Sequence, residues 1–318
     1  MTASFRASFG GHETFPFRYA WLKKGVDATA KDSEAFSRDD AMVTFGVGKN
    51  MVGSMRHWGL TVGTLEEDPT VRNNRGRRLR VAELGAALLS DSGWDPYLED
   101  VGTLWLIHWE LASHADRATT WWWTFNQFPG MRFTRRELQV HLERLVEELR
   151  VSRVSPASLK RDIDCFIRTY ALSRRTRKIQ EDTLDCPLIE LGLLREEWDQ
   201  SYSIARGSHA SLPMAIFGYA LAIYLERRMA PALTVSLNEL AYGAGSPGRV
   251  FCLSESGLLM RLEALGSLTG GALVYDETAG LKQILLHKSL RPRDLLEQYY
   301  GGSRKVTPWQ RTQREKNN

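Results

Sequence analysis

Three carboxylates, Asp95, Glu99 and Asp100, fall within the short segment Trp94-Asp95-Pro96-Tyr97-Leu98-Glu99-Asp100. Hard oxygen donors at this density suit a magnesium or manganese ion, and carboxylates holding such an ion could activate water against a phosphodiester, as in a metal-dependent nuclease. Asp95 and Glu99 stand four apart and could share one face of a helix. The competing reading is local: acidic residues just ahead of an apolar helix cap its first turn and offset its dipole.

Arginine supplies a second chemistry. Arg72, Arg75, Arg77, Arg78 and Arg80 lie within nine residues with no acid among them. Guanidinium groups in such a run neutralise phosphates and release counterions, which gives salt-sensitive affinity for nucleic acid. Arg168, Arg174, Arg175, Arg177 and Lys178 form another acid-free run, after a helix carrying Lys160 and Arg161. A solvated helix end is the alternative there, because cations are favoured near a helix C-terminus.

The elements that would position these groups follow from periodicity. Met42, Val43, Phe45, Val47, Met51, Val52, Met55 and Trp58 recur at helical spacing, broken at Gly46-Val47-Gly48. This predicts a short helix over 38–45, a glycine turn, and a second helix over 48–58, the pattern of a helix-turn-helix. Val52, Met55 and Trp58 face inward on this reading. Lys49, Asn50, Ser54, Arg56 and His57 face outward, as donors for phosphates and base edges. The arginine-rich stretch after Leu65 then stands where a wing would be, kept flexible by Asn73, Asn74 and Gly76.

Further along, helices are expected near 16–24, 80–90 and 98–113. A boundary is expected around Trp121-Trp122-Trp123, whose aromatics suit core packing better than stacking on unpaired bases. Thr134 with Glu137 makes a capping box for a helix at 135–150, and Ser155-Pro156 starts another. The third part has its core in an apolar helix at 212–228. A capped helix follows, then one from Glu255, and finally two strands around Thr278-Ala279-Gly280. Its presumed recognition helix carries Glu255, Arg261 and Glu263, which points to a structural or protein-binding role. The fold class is therefore mainly α, with winged helix-turn-helix modules in the N- and C-terminal parts and a helical middle. The expected domains are 1–118, 119–200 and 201–299, followed by a disordered basic tail, 300–318.

Composition narrows the field. Of 318 residues, 42 are Lys or Arg and 38 are Asp or Glu; residues 301–318 hold five of those bases and one acid, so the remaining body balances at 37 against 37. Only local patches can then signal nucleic acid. Three scattered cysteines make a disulfide scaffold or a cysteine-rich zinc site improbable. The opening residues lack the apolar run of a signal peptide, and no stretch reads as a membrane span, so a cytoplasmic protein is expected. Phe45-Gly46-Val47-Gly48-Lys49-Asn50 fails as a phosphate-binding loop, having Val43 where glycine is required and Asn50 where Ser or Thr is required. No nucleotide or organic cofactor is expected. His12-Glu13 fails as a zinc-protease motif because Pro16 stands where the second histidine belongs.

Three segments together resemble a known family: Gly10-Gly11-His12-Glu13-Thr14-Phe15 with Arg18 and Trp21-Leu22; Phe45 to Val52; and Asp95 to Asp100 with Gly102-Thr103-Leu104-Trp105. The family is SspB-like and associated with DNA phosphorothioation, the domain of unknown function 4007. The resemblance implies a DNA-binding subunit of an anti-phage modification system, acting as a nickase that assists sulfur incorporation into the backbone. It implies as partners a cysteine desulfurase, an ATPase and a PAPS-reductase-like protein. It also raises His12 and Glu13, with Asp95, Glu99 and Asp100, as catalytic candidates. A non-enzymatic winged-helix adaptor or regulator that recruits the sulfur-transfer enzymes is the second reading, and a protein-binding scaffold the third.

Overall fold

The computed structural model describes residues 5–151, 154–172, 186–227, 234–278 and 280–303. Arg174, Arg175, Arg177, Lys178 and the basic residues of the tail from 304 lie outside them. The described residues are mainly helical, with three small antiparallel sheets. The chain divides into two compact units, one ending at Gly207 and one beginning at Ser208.

The first unit opens with α1 (Tyr19–Lys31), α2 (Ala41–Phe45) and α3 (Lys49–Thr61). Helix α2 stops where Gly46 turns left-handed at φ 64°; the amides of Gly46 and Val47 bond back to the carbonyls of Val43 and Met42. That closure favours glycine, which has no side chain to clash at positive φ. Val52, Met55 and Trp58 are buried, as their spacing predicts. A hairpin follows, β1 (Leu65–Glu67) against β2 (Leu79–Val81), with Leu65 opposite Val81.

Helix α4 (Glu83–Leu89) leads to α5 (Val101–Ser113), the unit's central helix. Every residue of α5 from Gly102 to Ala112 is buried, so its surface is apolar all round. The Trp121-Trp122-Trp123 stretch, expected as a boundary, is instead α6 (Thr119–Asn126), with Trp121 and Trp123 in the core. Residues 119–200 thus belong to the same unit as those before them.

Helix α7 (Arg135–Glu148) begins with the full Thr134–Glu137 capping box. Helix α8 (Pro156–Tyr170) begins with Ser155 as N-cap and proline at its first turn. Three short strands complete the unit: β3 (Arg132–Phe133), β4 (Leu194–Glu196) and β5 (Tyr202–Ile204), in the order β3-β5-β4. They are two or three residues long, too short for an alternating pattern to stand out.

In the second unit, α9 (Met214–Glu226) precedes β6 (Thr234–Ser236), α10 (Leu237–Tyr242), α11 (Pro247–Val250) and α12 (Glu255–Leu268). Strands β7 (Leu273–Thr278) and β8 (Leu281–Leu286) follow, and the sheet order is β6-β8-β7. The last helix, α13 (Pro292–Ser303), takes in the first four residues of the stretch expected as tail. Arg261 is a correction. It is buried, its guanidinium donates to the carbonyls of Ser208, His209 and Leu212, and burial lowers its pKa.

Gly85 leaves no room for a side chain. A Cβ there would stand 2.1 Å from the carbonyl oxygen of Thr64, which already accepts from the amide of Ala82. Neither backbone partner can move without disturbing the hairpin. Gly85→Ala is therefore expected to cost about 1–3 kcal/mol, read as a lower midpoint in urea unfolding with an unchanged slope.

Candidate nucleic-acid interface

The loop Gly10–Phe15 has no regular structure, yet it is held from several sides. His12 is 1% exposed. Its Nδ1 accepts the amide of Thr14 at 3.0 Å, which assigns the ring proton to Nε2, and that nitrogen donates to Asp162 at 2.8 Å. The same Asp162 oxygen, on α8, accepts the amide of Gly10 at 2.5 Å. Arg168 donates to the carbonyl of Thr14. On the other side, Trp58 Nε1 on α3 donates to the carbonyl of Phe15 at 3.2 Å. Both ring nitrogens of His12 are thus committed, so this residue positions the loop and has no lone pair left to take a proton from water.

Glu13 and Thr14 sit in left-handed backbone at φ 48° and 69°. A β-branched residue rarely adopts that region, and such conformations persist only where surrounding bonds enforce them. The outcome is specific. The Glu13 side chain is exposed and faces α3, where a Cβ at Gly53 would lie 3.6 Å from its Cγ.

The outward face predicted for α3 holds only in part. Lys49 and Asn50 are exposed. Ser54 is buried, its hydroxyl turned toward the Phe15 carbonyl. His57 is half-buried, with its ring 6.0 Å from His12 and pressed against Gly11, where a Cβ would lie 2.5 Å from Nδ1. Burial, reinforced by His12 and Arg56, pulls the His57 pKa down to about 3. Arg56 is half-buried and donates to the carbonyl of Gly76 at 3.0 Å, with Glu67 3.6 Å away. It docks the hairpin loop onto α3. Ser54, Arg56 and His57 are therefore corrections, because the Gly10–Phe15 loop and the hairpin cover α3 from two sides.

The hairpin loop is constructed, where glycine and asparagine suggested flexibility. Asn74 donates to the carbonyls of Asp68 and Arg78 and accepts the amide of Arg78 at 2.7 Å. Asn73, Arg75 and Gly76 all have positive φ. The five arginines divide. Arg78 pairs with Glu34 at 2.7 Å and Arg80 with Glu66 at 2.8 Å. Arg72, Arg75 and Arg77 are exposed and have no carboxylate partner among the described residues.

On α8, Lys160 and Arg161 are exposed, while Arg168 is half-buried and holds the loop. Arg161, Ser158, Gly10, His12 and Glu13 border a depression of about 290 Å³. The exposed surface therefore runs from Lys49 and Asn50, past Glu13, to Arg161.

The carboxylates of the third segment take their local role. Both oxygens of Asp95 accept backbone amides, of Glu99 at 2.9 Å and Asp100 at 3.0 Å, and Asp100 caps α5 by accepting from Gly102 at 2.7 Å. Glu99 is exposed. Among the described residues no three His, Cys, Asp or Glu side chains come together as a metal group.

A family of proteins of unknown function, DUF4007, matches residues 9–300. The chain belongs to this family. Two solved structures of SspB resemble it at 32% identity, one of them described as magnesium ion-bound. The TM-scores are 0.85 and 0.84; each covers 95% of this chain, and 90% and 91% of the SspB chains respectively. No curated protein matches. Within the DUF4007 match, the glycine-rich loop, α3 and the start of α5 are the segments whose residues carry the resemblance. The structure joins the first two and leaves the third as the capped start of the central helix. Asp162 has no signal in the sequence, because nothing near position 162 announces a partner 150 residues away.

Two outcomes test this geometry. Asp162→Ala strands the buried His12 donor and the Gly10 amide and should cost about 3 kcal/mol, measured by denaturant unfolding. For His57, the folded pKa lies below the ordinary value of 6.5. Its contribution to stability is full above about pH 6.5, declines as the pH falls, and is gone below about pH 3. His57→Gln should flatten that part of the stability profile; an unchanged slope would place the titration elsewhere.

Proposed function

We propose that this chain is a duplex-DNA-contacting component of a DNA phosphorothioation system, using the α3–hairpin surface of its first unit. The system context rests on the family resemblance and on the similarity to SspB structures. The observation that carries DNA contact is the trio Arg72, Arg75 and Arg77, exposed and without carboxylate partners among the described residues, on a loop that Arg56 fastens to α3. Helices followed by a hairpin are the order of a winged helix, with α3 as the helix that enters the groove and the β1–β2 loop as the wing. Lys49 and Asn50, exposed in the first turn of α3, are the polar side chains that this helix offers to a duplex. Guanidiniums that lack carboxylate partners keep their full attraction for phosphate, whereas paired ones must first give up a bond. With Asn50 as the main amide able to read a base edge, contact is dominated by phosphates and only weakly selective.

Strand nicking is the finer reading, and Glu13 favours it. This carboxylate is exposed on enforced backbone between α3 and Arg161, where a phosphate held by arginine would meet a proton acceptor. His12 orients that loop. A cysteine desulfurase, an ATPase and a PAPS-reductase-like enzyme are the partners this reading assigns.

Replacing Arg72, Arg75 and Arg77 with alanine should weaken duplex binding and lower the salt slope by about 0.9 for each phosphate no longer neutralised. Arg78→Ala should change it far less, since Glu34 already holds that guanidinium. Fluorescence anisotropy across a salt series reads both; equal weakening in the two variants would sink the assignment. In a plasmid assay with magnesium or manganese, Glu13→Gln should bind as wild type yet fail to nick. Binding by the wild-type protein without any strand break would leave the non-enzymatic adaptor.

A further inference from the structure

Beside the depression at Arg161 lies a larger one, of about 770 Å³, lined by Phe5, Arg6, Leu149, Arg150 and Val151 among others. Phe9 and Val154 line both, so the two form one groove in the first unit. The duplex reading uses only its Glu13–Arg161 end. We propose that this groove binds single-stranded DNA, taking an unpaired segment that leaves the duplex surface at Glu13; the direction of entry rests on the duplex reading above, whereas the groove's own chemistry does not.

The residues carry the assignment. Phe5 and Phe9 are half-buried and both line the groove, and Trp122 packs edge-on to Phe5 at 5.1 Å. Every base has a π-face, and an aromatic platform takes it without reading sequence. In a duplex those faces are already covered by stacking, so recessed rings select unpaired bases. Leu149, Val151 and Val154 add an apolar wall. Arg6, Arg150 and Arg161 are exposed and make no ion pair among the described residues; Arg161 only bonds the Ser158 hydroxyl, at 3.3 Å. Cations lining a groove with aromatic rings are the combination that tracks a single-strand backbone. Two carboxylates also line it, Glu13 and Asp116, against the three arginines. Volumes of about 300–1,000 Å³ hold small-molecule-sized groups, so the groove has room for nucleotides. The Trp121-Trp122-Trp123 stretch offers no such platform by itself, since Trp121 and Trp123 are buried.

The test compares a fluorescent oligodeoxythymidylate with a blunt duplex, by anisotropy on the full chain. Phe9→Leu keeps apolar bulk and removes the ring. Arg150→Asn with Arg6→Ala removes two cations that the duplex reading does not use, asparagine being suited to the positive φ of 51° at position 150. Each variant should lose roughly ten-fold in oligodeoxythymidylate affinity and stay close to wild type on the duplex. The Arg72/Arg75/Arg77 triple variant should show the reverse. Unchanged oligodeoxythymidylate affinity in the Arg6/Arg150 variant overturns the groove even if Phe9→Leu does not fold. Displacement of the oligonucleotide by polyglutamate as effectively as by unlabelled oligodeoxythymidylate also overturns it, reducing the groove to general anion attraction. A wild-type protein that binds the oligonucleotide and not the duplex supports the groove and removes the duplex reading, so the two fail separately.

Discussion

A carboxylate buried to 1% exposure must be met by donors, and Asp162 meets both of its donors on a loop 150 residues away. That bond decides more than its own energy. It ties the Gly10–Phe15 loop to α8, while Trp58 ties the far end of the same loop to α3. A segment with no regular structure thereby becomes the link between two helices. The left-handed backbone at Glu13 and Thr14, the exposed Glu13 side chain and the seat of Gly11 against His57 all depend on that anchoring. Buried polar links of this kind do less for stability than for a single arrangement, because every alternative leaves a donor or an acceptor stranded.

The same reasoning separates cations that build the molecule from cations that face outward. Arg56, Arg168 and Arg261 donate to backbone carbonyls, and Arg78 and Arg80 pair with carboxylates. Arg72, Arg75, Arg77, Arg150 and Arg161 have no acidic partner among the described residues. In sequence these two groups look alike. Arg77 and Arg78 are neighbours, and what distinguishes them is Glu34, which lies 44 residues before Arg78 and reaches it only once α1 and the hairpin are folded.

How far the sequence is legible depends on the range of the interaction. The helix starts at Thr134 and Ser155, the glycine stop after α2 and the inward triplet Val52, Met55 and Trp58 are governed by residues three to seven apart, and all stand in the structure. Ser54 and His57 depart from expectation because periodicity assigns a helix one buried face, and α3 is covered on a second by the loop. Helix α6 is hidden by its composition. Three consecutive tryptophans read as punctuation, yet two of them are core, packed on His12, Phe166 and Phe128. Asp95 and Asp100 behave as short-range logic allows, capping their own turn.

The second unit shows why charge and not element order must carry the functional argument. It too runs helices into a hairpin, with β6 completing the sheet. Its long helix α12 has one basic residue, Arg261, and that guanidinium is turned inward to three backbone carbonyls. What α12 offers at the surface is Glu255, Met260 and Glu263. Exposed carboxylates stand there and exposed guanidiniums on the β1–β2 loop, although both surfaces arise from the same succession of helices and strands. The contrast comes from which side chains remain unsatisfied after folding, and those are the ones a phosphate can still engage.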